Sequence, residues 1–158
     1  MSETTIKFLH DWEKEQLFNV IAMDQSTHNI RNKAIFYIAE YAGLRASEVG
    51  LIKVTDFNMY KQEIYIKRLK NSNPNTLRIL ERPVLNALID YLDYREAAGI
   101  THPNLFISQK GKPISRKTLD MIMKRYCTEA GISPDKAHFH VLKHTRAVAL
   151  ADLGLDTK

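Results

Sequence analysis

Three short segments of this chain concentrate polar residues, and each carries residue types that can hold an anion. Arginine forks, lysine ammonium groups and imidazoles are the side chains that proteins use to bind phosphates and to move protons near them. The three segments are residues 43–48 (GLRASE), 67–73 (KRLKNSN) and 138–146 (HFHVLKHTR).

The first segment lies where one helix is expected to end and another to begin. Gly43 is a natural end for a helix, and the next helix starts at Arg45 or Ser47. A helix start favours anions, and an arginine placed there can present a planar fork to a phosphate. Glu48 follows Arg45 by one turn and can orient its guanidinium. Taken alone, the pair favours a plain surface ion pair, which contributes about 0–1 kcal/mol.

The second segment is the tip of a predicted β-hairpin and is strongly cationic. Lys67, Arg68 and Lys70 stand within four positions, followed by a polar turn. A cationic hairpin can lie along a phosphate backbone. Without other evidence, a solvated edge that uses lysine to discourage strand pairing is at least as good an interpretation.

The third segment places His140, Lys143 and His144 at i, i+3 and i+4, on one face of a helix. With His138 nearby, zinc is one hypothesis, but the HExxH glutamate and a downstream ligand are lacking, and the cations Lys143 and Arg146 oppose a metal. A phosphate fits better, because imidazole can donate a proton and lysine can neutralise charge. One satisfied core histidine beside exposed bases remains an alternative.

Apolar periodicity predicts mostly helices around these segments. Tyr126 falls among apolar neighbours on one such helix, which predicts a core or half-buried tyrosine. The predicted helices are a first one carrying Trp12, Leu17, Val20 and Ile21, then 31–42, a short one through Glu48 and Ile52, one from Pro83 to near Gly99, one from an N-cap at Ser115 to Gly131, and a last one from near His140 towards Gly154.

A short β insertion breaks the helical pattern. Residues 63–69 and 76–80 are rich in branched and aromatic side chains, and the turn cluster 71–75 separates them, which predicts an antiparallel hairpin. Neither an internal repeat nor a linker divides the chain. We therefore expect one domain over residues 1–158, of the α+β class and mainly α, with a small antiparallel sheet.

The bulk properties fit a DNA-binding domain without proving one. The 158 residues carry a net charge of +5 and a pI of about 9.3, which favours a polyanionic partner. The single cysteine, Cys127, suits a reducing compartment, so we expect a cytoplasmic protein. The sequence has no apolar run long enough for a membrane span and no secretory signal pattern.

Taken in order, the segments resemble the motif series of the tyrosine recombinases (phage integrases). The individual motifs are loose, but their order and spacing are specific, and the resemblance runs from about Trp12 to the end. The phage-type and fimbrial-switch members look most similar. The stretches that carry the resemblance are RNKAIFYIAEYAGLRASEVGLIKVTDF (31–57), RLKNSNPNTLRIL (68–80), LFISQKGKPISRKTLDMIMKRYCTEAGI (105–132) and HFHVLKHTRAVALADLGLDTK (138–158).

The resemblance implies the mainly helical catalytic core of DNA breaking-and-rejoining enzymes, acting on double-stranded DNA without metal or cofactor. A tyrosine attacks a scissile phosphate, a 3′-phosphotyrosine link forms, and a 5′-hydroxyl leaves. Arg45, His140 and Lys143 would clamp the phosphate, and Glu48 would support Arg45. Lys70 would act as the general acid, with Lys67 as the alternative. Lys67, Arg68 and Arg146 would contact DNA.

Two departures from the family pattern shape the expectation. The family usually has arginine where this chain has Lys143, and lysine keeps the charge but loses the bidentate fork. No tyrosine follows His140, so the nucleophile lies outside this sequence, and the N-terminal DNA clamp of the family is also missing. We expect a fragment that is inactive alone, monomeric in solution and assembled with other recombinase subunits on DNA. The alternatives are a non-catalytic regulatory fragment and, far behind, a zinc hydrolase.

Overall fold

The computed structural model describes residues 6–69 and 75–154. Within these ranges the chain forms six α-helices and one small sheet, which confirms the mainly helical α+β class. No helix of the described residues is long and apolar enough to cross a membrane. The helices are α1 (Asp11–Met23), α2 (Asn29–Ala42), α3 (Ala46–Val49), α4 (Arg82–Ala97), α5 (Arg116–Ala130) and α6 (Val141–Asp152).

Helix α2 is the centre of the fold. It packs against α4 on one side and α6 on another, while α1 packs mainly against α5. Ten of its side chains are buried, because its sequence is apolar on nearly every face. The Phe36 ring meets the edges or faces of Tyr126 and Phe139 with centroids 5.3 Å apart in both pairs. The predicted burial of Tyr126 is therefore confirmed.

The sheet is antiparallel and has the strand order β1 (Phe57–Asn58), β2 (Glu63–Ile66), β3 (Asn75–Arg78). The β2–β3 hairpin confirms the predicted one, with Ile64 opposite Leu77, although both strands are shorter than expected. Strand β1 was not predicted, because a strand of two residues is too short to show an alternation of apolar and polar side chains. Ile64 and Ile66 are fully buried, so this hairpin is anchored to the core through one face of β2.

Turn chemistry sets most helix boundaries as the sequence predicts. Gly43 takes the left-handed conformation with φ 63° and ends α2, and Gly131 ends α5 in the same way with φ 73°. The Ser115 hydroxyl accepts a hydrogen bond from the Thr118 amide at 3.2 Å and caps α5. Trp12 belongs to α1, as predicted, and at 58% exposure it lies outside the core.

Candidate DNA phosphate site

The corner between α2 and α3 holds Arg45 in a fixed orientation. Gly43 reverses the chain, and Arg45 becomes the residue before α3. One oxygen of Glu48 accepts the Arg45 amide at 2.9 Å, and the other accepts the Arg45 Nη1 at 3.0 Å. A carboxylate one turn along α3 therefore holds both the backbone and the side chain of this arginine.

Glu48 also holds the end of the hairpin strand. Its Oε2 accepts the amide of Leu69 at 3.0 Å, and its Oε1 lies 3.3 Å from the Nη1 of Arg68. The same Arg68 donates from Nη2 to the Ala42 carbonyl at 2.8 Å and from Nη1 to the Gly43 carbonyl at 3.2 Å. Arg68, expected from the sequence to contact DNA, turns inward and caps the C-terminal end of α2.

The Glu48 carboxylate is buried and charged. Burial alone would raise its pKa, but the hydrogen bonds from the amides of Arg45 and Leu69, together with the positive charges of Arg68 and Arg45, hold the pKa below its usual value. The carboxylate therefore stays ionised between two guanidinium groups. Glu48 therefore fixes the orientation of the Arg45 side chain, and its single negative charge does not balance all the cations nearby.

Helix α6 brings Lys143 to the same corner from the other end of the sequence. A β-carbon placed on Gly43 would lie 3.9 Å from the Cγ of Lys143, so the lysine stem passes over this glycine. Burial lowers the pKa of Lys143, and the charges of Arg45 and Arg68 lower it further, while Glu48 opposes them. Arg45 and Lys143, almost a hundred residues apart in sequence, thus bring two positive charges to the same corner of the fold.

His140 stands at the N-terminal end of α6, where the residue as a whole is exposed but part of it is covered by its neighbours. The His138 ring stacks on it with centroids 5.6 Å apart, and the His144 ring meets it edge-on at 5.3 Å. Burial lowers the pKa of His140, and the neighbouring imidazoles lower it further. An imidazole with a lowered pKa suits proton exchange near neutral pH. In the described ranges, no cluster of three or more histidine, cysteine or acidic side chains could hold a metal ion.

Arg146 lies to one side of this cluster. Its guanidinium stacks over the Tyr41 ring at 4.8 Å, and its Nη1 lies 3.6 Å from Glu81, while its Nε is buried without a partner among the described residues. The Tyr41 hydroxyl in turn donates to the Arg78 carbonyl at 2.9 Å and accepts the Leu80 amide at 3.0 Å. Arg146 therefore packs against the base of the hairpin.

The hairpin residues that the sequence singled out differ in the direction of their side chains. Lys67 is exposed just after β2, and its neighbour Arg68 faces inward. Lys70, the residue expected to act as general acid, lies outside the described residues. We use the name phosphate cradle for Arg45, Lys143 and His140. Sequence reasoning missed the inward role of Arg68 and the place of Tyr41, because neither residue type nor spacing tells which way a side chain turns.

The fold defines the class of protein, because similar solved structures are catalytic domains of tyrosine recombinases. The chain belongs to the phage integrase family, whose model matches residues 7–158. Curated relatives agree. It is 32% identical over 152 residues to the type 1 fimbriae regulatory protein FimB of Escherichia coli (strain K12), covering 96% of this chain and 74% of FimB. It is 30% identical to the tyrosine recombinase XerA of Pyrococcus furiosus, covering 99% of this chain and 52% of XerA.

Solved structures show the same fold. The crystal structure of XerA recombinase superposes with a TM-score of 0.81 at 25% identity, over 97% of this chain and 53% of that one. The XerH site-specific recombinase bound to its difH substrate superposes with a TM-score of 0.81 at 23% identity, over 97% of this chain and 46% of that one. The chain thus spans about half the length of these recombinases, in the region of their catalytic domain.

Proposed function

We propose that this chain binds double-stranded DNA and holds one phosphodiester in the phosphate cradle during site-specific strand transfer. The observation that carries the proposal is the convergence of Lys143 on Arg45 across Gly43. Cations held close together repel each other, and an anion between them relieves that repulsion. A DNA phosphate is the anion that a basic domain of this family meets.

In this proposal each residue of the cradle has a distinct task. Arg45, oriented by Glu48, and Lys143 hold the non-bridging oxygens, and His140 donates a hydrogen bond or shuttles a proton. A tyrosine hydroxyl attacks phosphorus and forms the 3′-phosphotyrosine bond as the bond to the 5′-oxygen breaks. Lys70, or Lys67 in its place, gives that oxygen its proton. Because the link conserves the bond energy, another 5′-hydroxyl can reverse the step.

The relatives support duplex DNA and further recombinase subunits as partners. One similar structure is a XerH recombinase on its difH substrate, and another is a lambda integrase tetramer on a Holliday junction. We propose that this chain also assembles with recombinase subunits on DNA. Free of DNA, we expect a monomer by light scattering, since its interactions with other copies would depend on the shared duplex.

The first test compares two lysines. Lys143 of α6 has its stem over Gly43, at the C-terminal end of α2, and Lys33 lies on α2 itself, nearer the N-terminal end. Lys143→Met keeps the unbranched stem over Gly43 but removes the charge. Lys33→Met is the matched control, because Lys33 lies in the N-terminal half of α2 and its ammonium lies over the Tyr37 ring, 5.6 Å from the centroid. Fluorescence anisotropy with a labelled duplex, measured across a series of salt concentrations, reports both the affinity and its salt dependence.

We expect Lys143→Met to weaken duplex binding by about tenfold at low salt and to reduce the slope of log K against log salt by about one. Lys33→Met should leave both quantities close to those of the parent chain. Equal losses in the two variants would show only a loss of net charge, and salt-independent binding would contradict a phosphate site altogether.

A further inference from the structure

A cavity lies at the first turn of α2, at the opposite end of that helix from Arg45. Its volume is about 270 Å³. That is just below the range of about 300–1,000 Å³ that drug-sized ligands occupy, so it would fit a molecule with a single ring. Residues of α2, of α4 and of the loop after Phe106 line it, chiefly Ile30, Arg31, Tyr91, Tyr94, Ile100 and Ile107.

Arg31 is the unusual member of this lining. It is only 7% exposed, yet within residues 6–69 and 75–154 no carboxylate lies in ion-pair range of its guanidinium. Its Nε donates to the Asn32 side-chain oxygen at 3.0 Å, and its Nη1 donates to the Ile107 carbonyl at 3.2 Å. Its Nη2 donates to no residue in the described part of the chain.

Arg95 shows how this fold satisfies a buried arginine without an acid. Its Nη1 donates to the carbonyls of Asn104 and Leu105 at 2.9 and 2.7 Å, and its Nη2 donates to the His102 carbonyl at 2.6 Å. Both terminal nitrogens are therefore used. Arg31 keeps one terminal nitrogen and an uncompensated positive charge beside an open cavity, which is the arrangement that an anion would complete.

The aromatic and isoleucine side chains of the lining suit an apolar ring next to that charge. The Tyr91 and Tyr94 rings are stacked, with centroids 6.4 Å apart and planes inclined by 18°. The branched side chains of Ile30, Ile100 and Ile107 add apolar surface, and the rest of the lining is polar or small: Thr27, His28, Ser108, Gln109 and Gly111. A carboxylate matches a guanidinium in plane and charge, and a flat ring packs well against tyrosine faces.

We propose that this cavity binds a small aromatic carboxylate, with its carboxylate on Arg31 and its ring against Tyr91 and Tyr94. The N-terminal end of α2 adds partial positive charge on the same side. Neither the cavity nor Arg31 contributes to the phosphate cradle, so the site is independent of the proposed DNA function and stands or falls separately.

The test titrates the protein with benzoate and follows binding by calorimetry and by the unfolding temperature. Benzamide has the same shape without the charge, and inorganic phosphate has charge without the ring. Ile30→Trp should fill the cavity from α2, where Ile30 is 37% exposed, and leave Arg31 in place. Met121→Trp, at a position 62% exposed on α5 and away from the lining, is the control for adding a surface indole.

We expect saturable one-to-one binding of benzoate that raises the unfolding temperature, with binding of benzamide or phosphate at least about tenfold weaker. Ile30→Trp should abolish benzoate binding, while Met121→Trp should bind as the parent chain does. A folded Arg31→Lys variant should bind benzoate more weakly, since lysine lacks the fork. Equal binding of benzoate and benzamide, unchanged binding by Ile30→Trp, or no binding to the parent chain would each overturn the proposal.

Discussion

At the scale of single residues, Glu48 joins the parts of the cradle. Its two oxygens accept four hydrogen bonds, from the amides of Arg45 and Leu69 and from the guanidinium groups of Arg45 and Arg68. A buried carboxylate with so many donors is expensive to remove, because the cations that it serves remain. Its contribution is therefore larger than that of an exposed ion pair.

Replacing Glu48 by glutamine tests this position. We expect Glu48→Gln to lower the free energy of unfolding by about 2–3 kcal/mol near neutral pH, because it leaves Arg45 and Arg68 without their counter-charge. Urea unfolding followed by circular dichroism measures the difference. Glu129→Gln on α5, where the carboxylate is 57% exposed, should change stability by less than about 0.5 kcal/mol.

The same variant has a defined pH dependence. The folded-state pKa of Glu48 lies below the ordinary glutamate value of about 4.5, so its stabilising effect is fully present above about that pH. It is lost as the pH falls through the lower folded-state value. The stability difference between parent and Glu48→Gln should therefore shrink progressively below about pH 4.5, and a difference that grew on acidification would contradict an ionised Glu48.

At the scale of elements, Arg68 fastens the hairpin to the C-terminal end of α2. It donates to the carbonyls of Ala42 and Gly43 at 2.8 and 3.2 Å, at the helix end where carbonyls have no partner in the helix. A cation at this end also suits the helix dipole. Arg68 therefore fixes the residues just after β2 against the end of α2.

We expect Arg68→Ala to loosen the hairpin without unfolding the domain. The change should lower the free energy of unfolding by about 2 kcal/mol, because two carbonyls and one Glu48 oxygen lose a donor. Hydrogen exchange should speed up in β2 and β3 more than in α4. Arg78→Ala is the matched control, since Arg78 is an exposed arginine on β3 of the same hairpin. Equal effects of the two variants would show that the loss of any hairpin arginine is enough.

The sequence predicted these elements better than their contacts. Turn residues such as Gly43, Ser115 and Gly131 have local causes, so the helix ends they mark are confirmed. Apolar spacing placed Trp12 correctly on α1 but could not tell that this aromatic is exposed rather than part of the core face. Arg68 appeared as one cation in a cationic tip, and its inward turn depends on carbonyls of α2 that sequence spacing does not place.

The same limit applies to the cradle. The types and order of Arg45, Glu48, His140 and Lys143 indicated a phosphate site, since these residues fall in recognisable motifs. The passage of the Lys143 stem over Gly43 is a contact between α2 and α6, and it depends on the packing of the whole core. Local pattern predicts which residues do chemistry, and long-range packing decides how close they stand.

At the scale of the whole molecule, the tyrosines decide what these residues can do unaided. Tyr91 and Tyr126 are buried, and Tyr126 donates its hydroxyl to Asp24 at 2.6 Å. Burial, and then the hydrogen bond to Asp24, raises the pKa of Tyr126, which makes it a poor nucleophile. Tyr41 lies near Arg146, but its hydroxyl is already hydrogen-bonded to the backbone of Arg78 and Leu80.

We therefore expect these residues to bind a nicked suicide duplex without forming a covalent adduct. Denaturing electrophoresis of labelled DNA should show no slower band, although the same mixture shows a complex under native conditions. Tyr60 is exposed in the turn between β1 and β2, and we expect no adduct there, because a hydroxyl must reach the phosphorus in line. Tyr60→Phe should leave DNA binding unchanged. An adduct mapped to any of the seven tyrosines would contradict the assignment of these residues to phosphate holding alone.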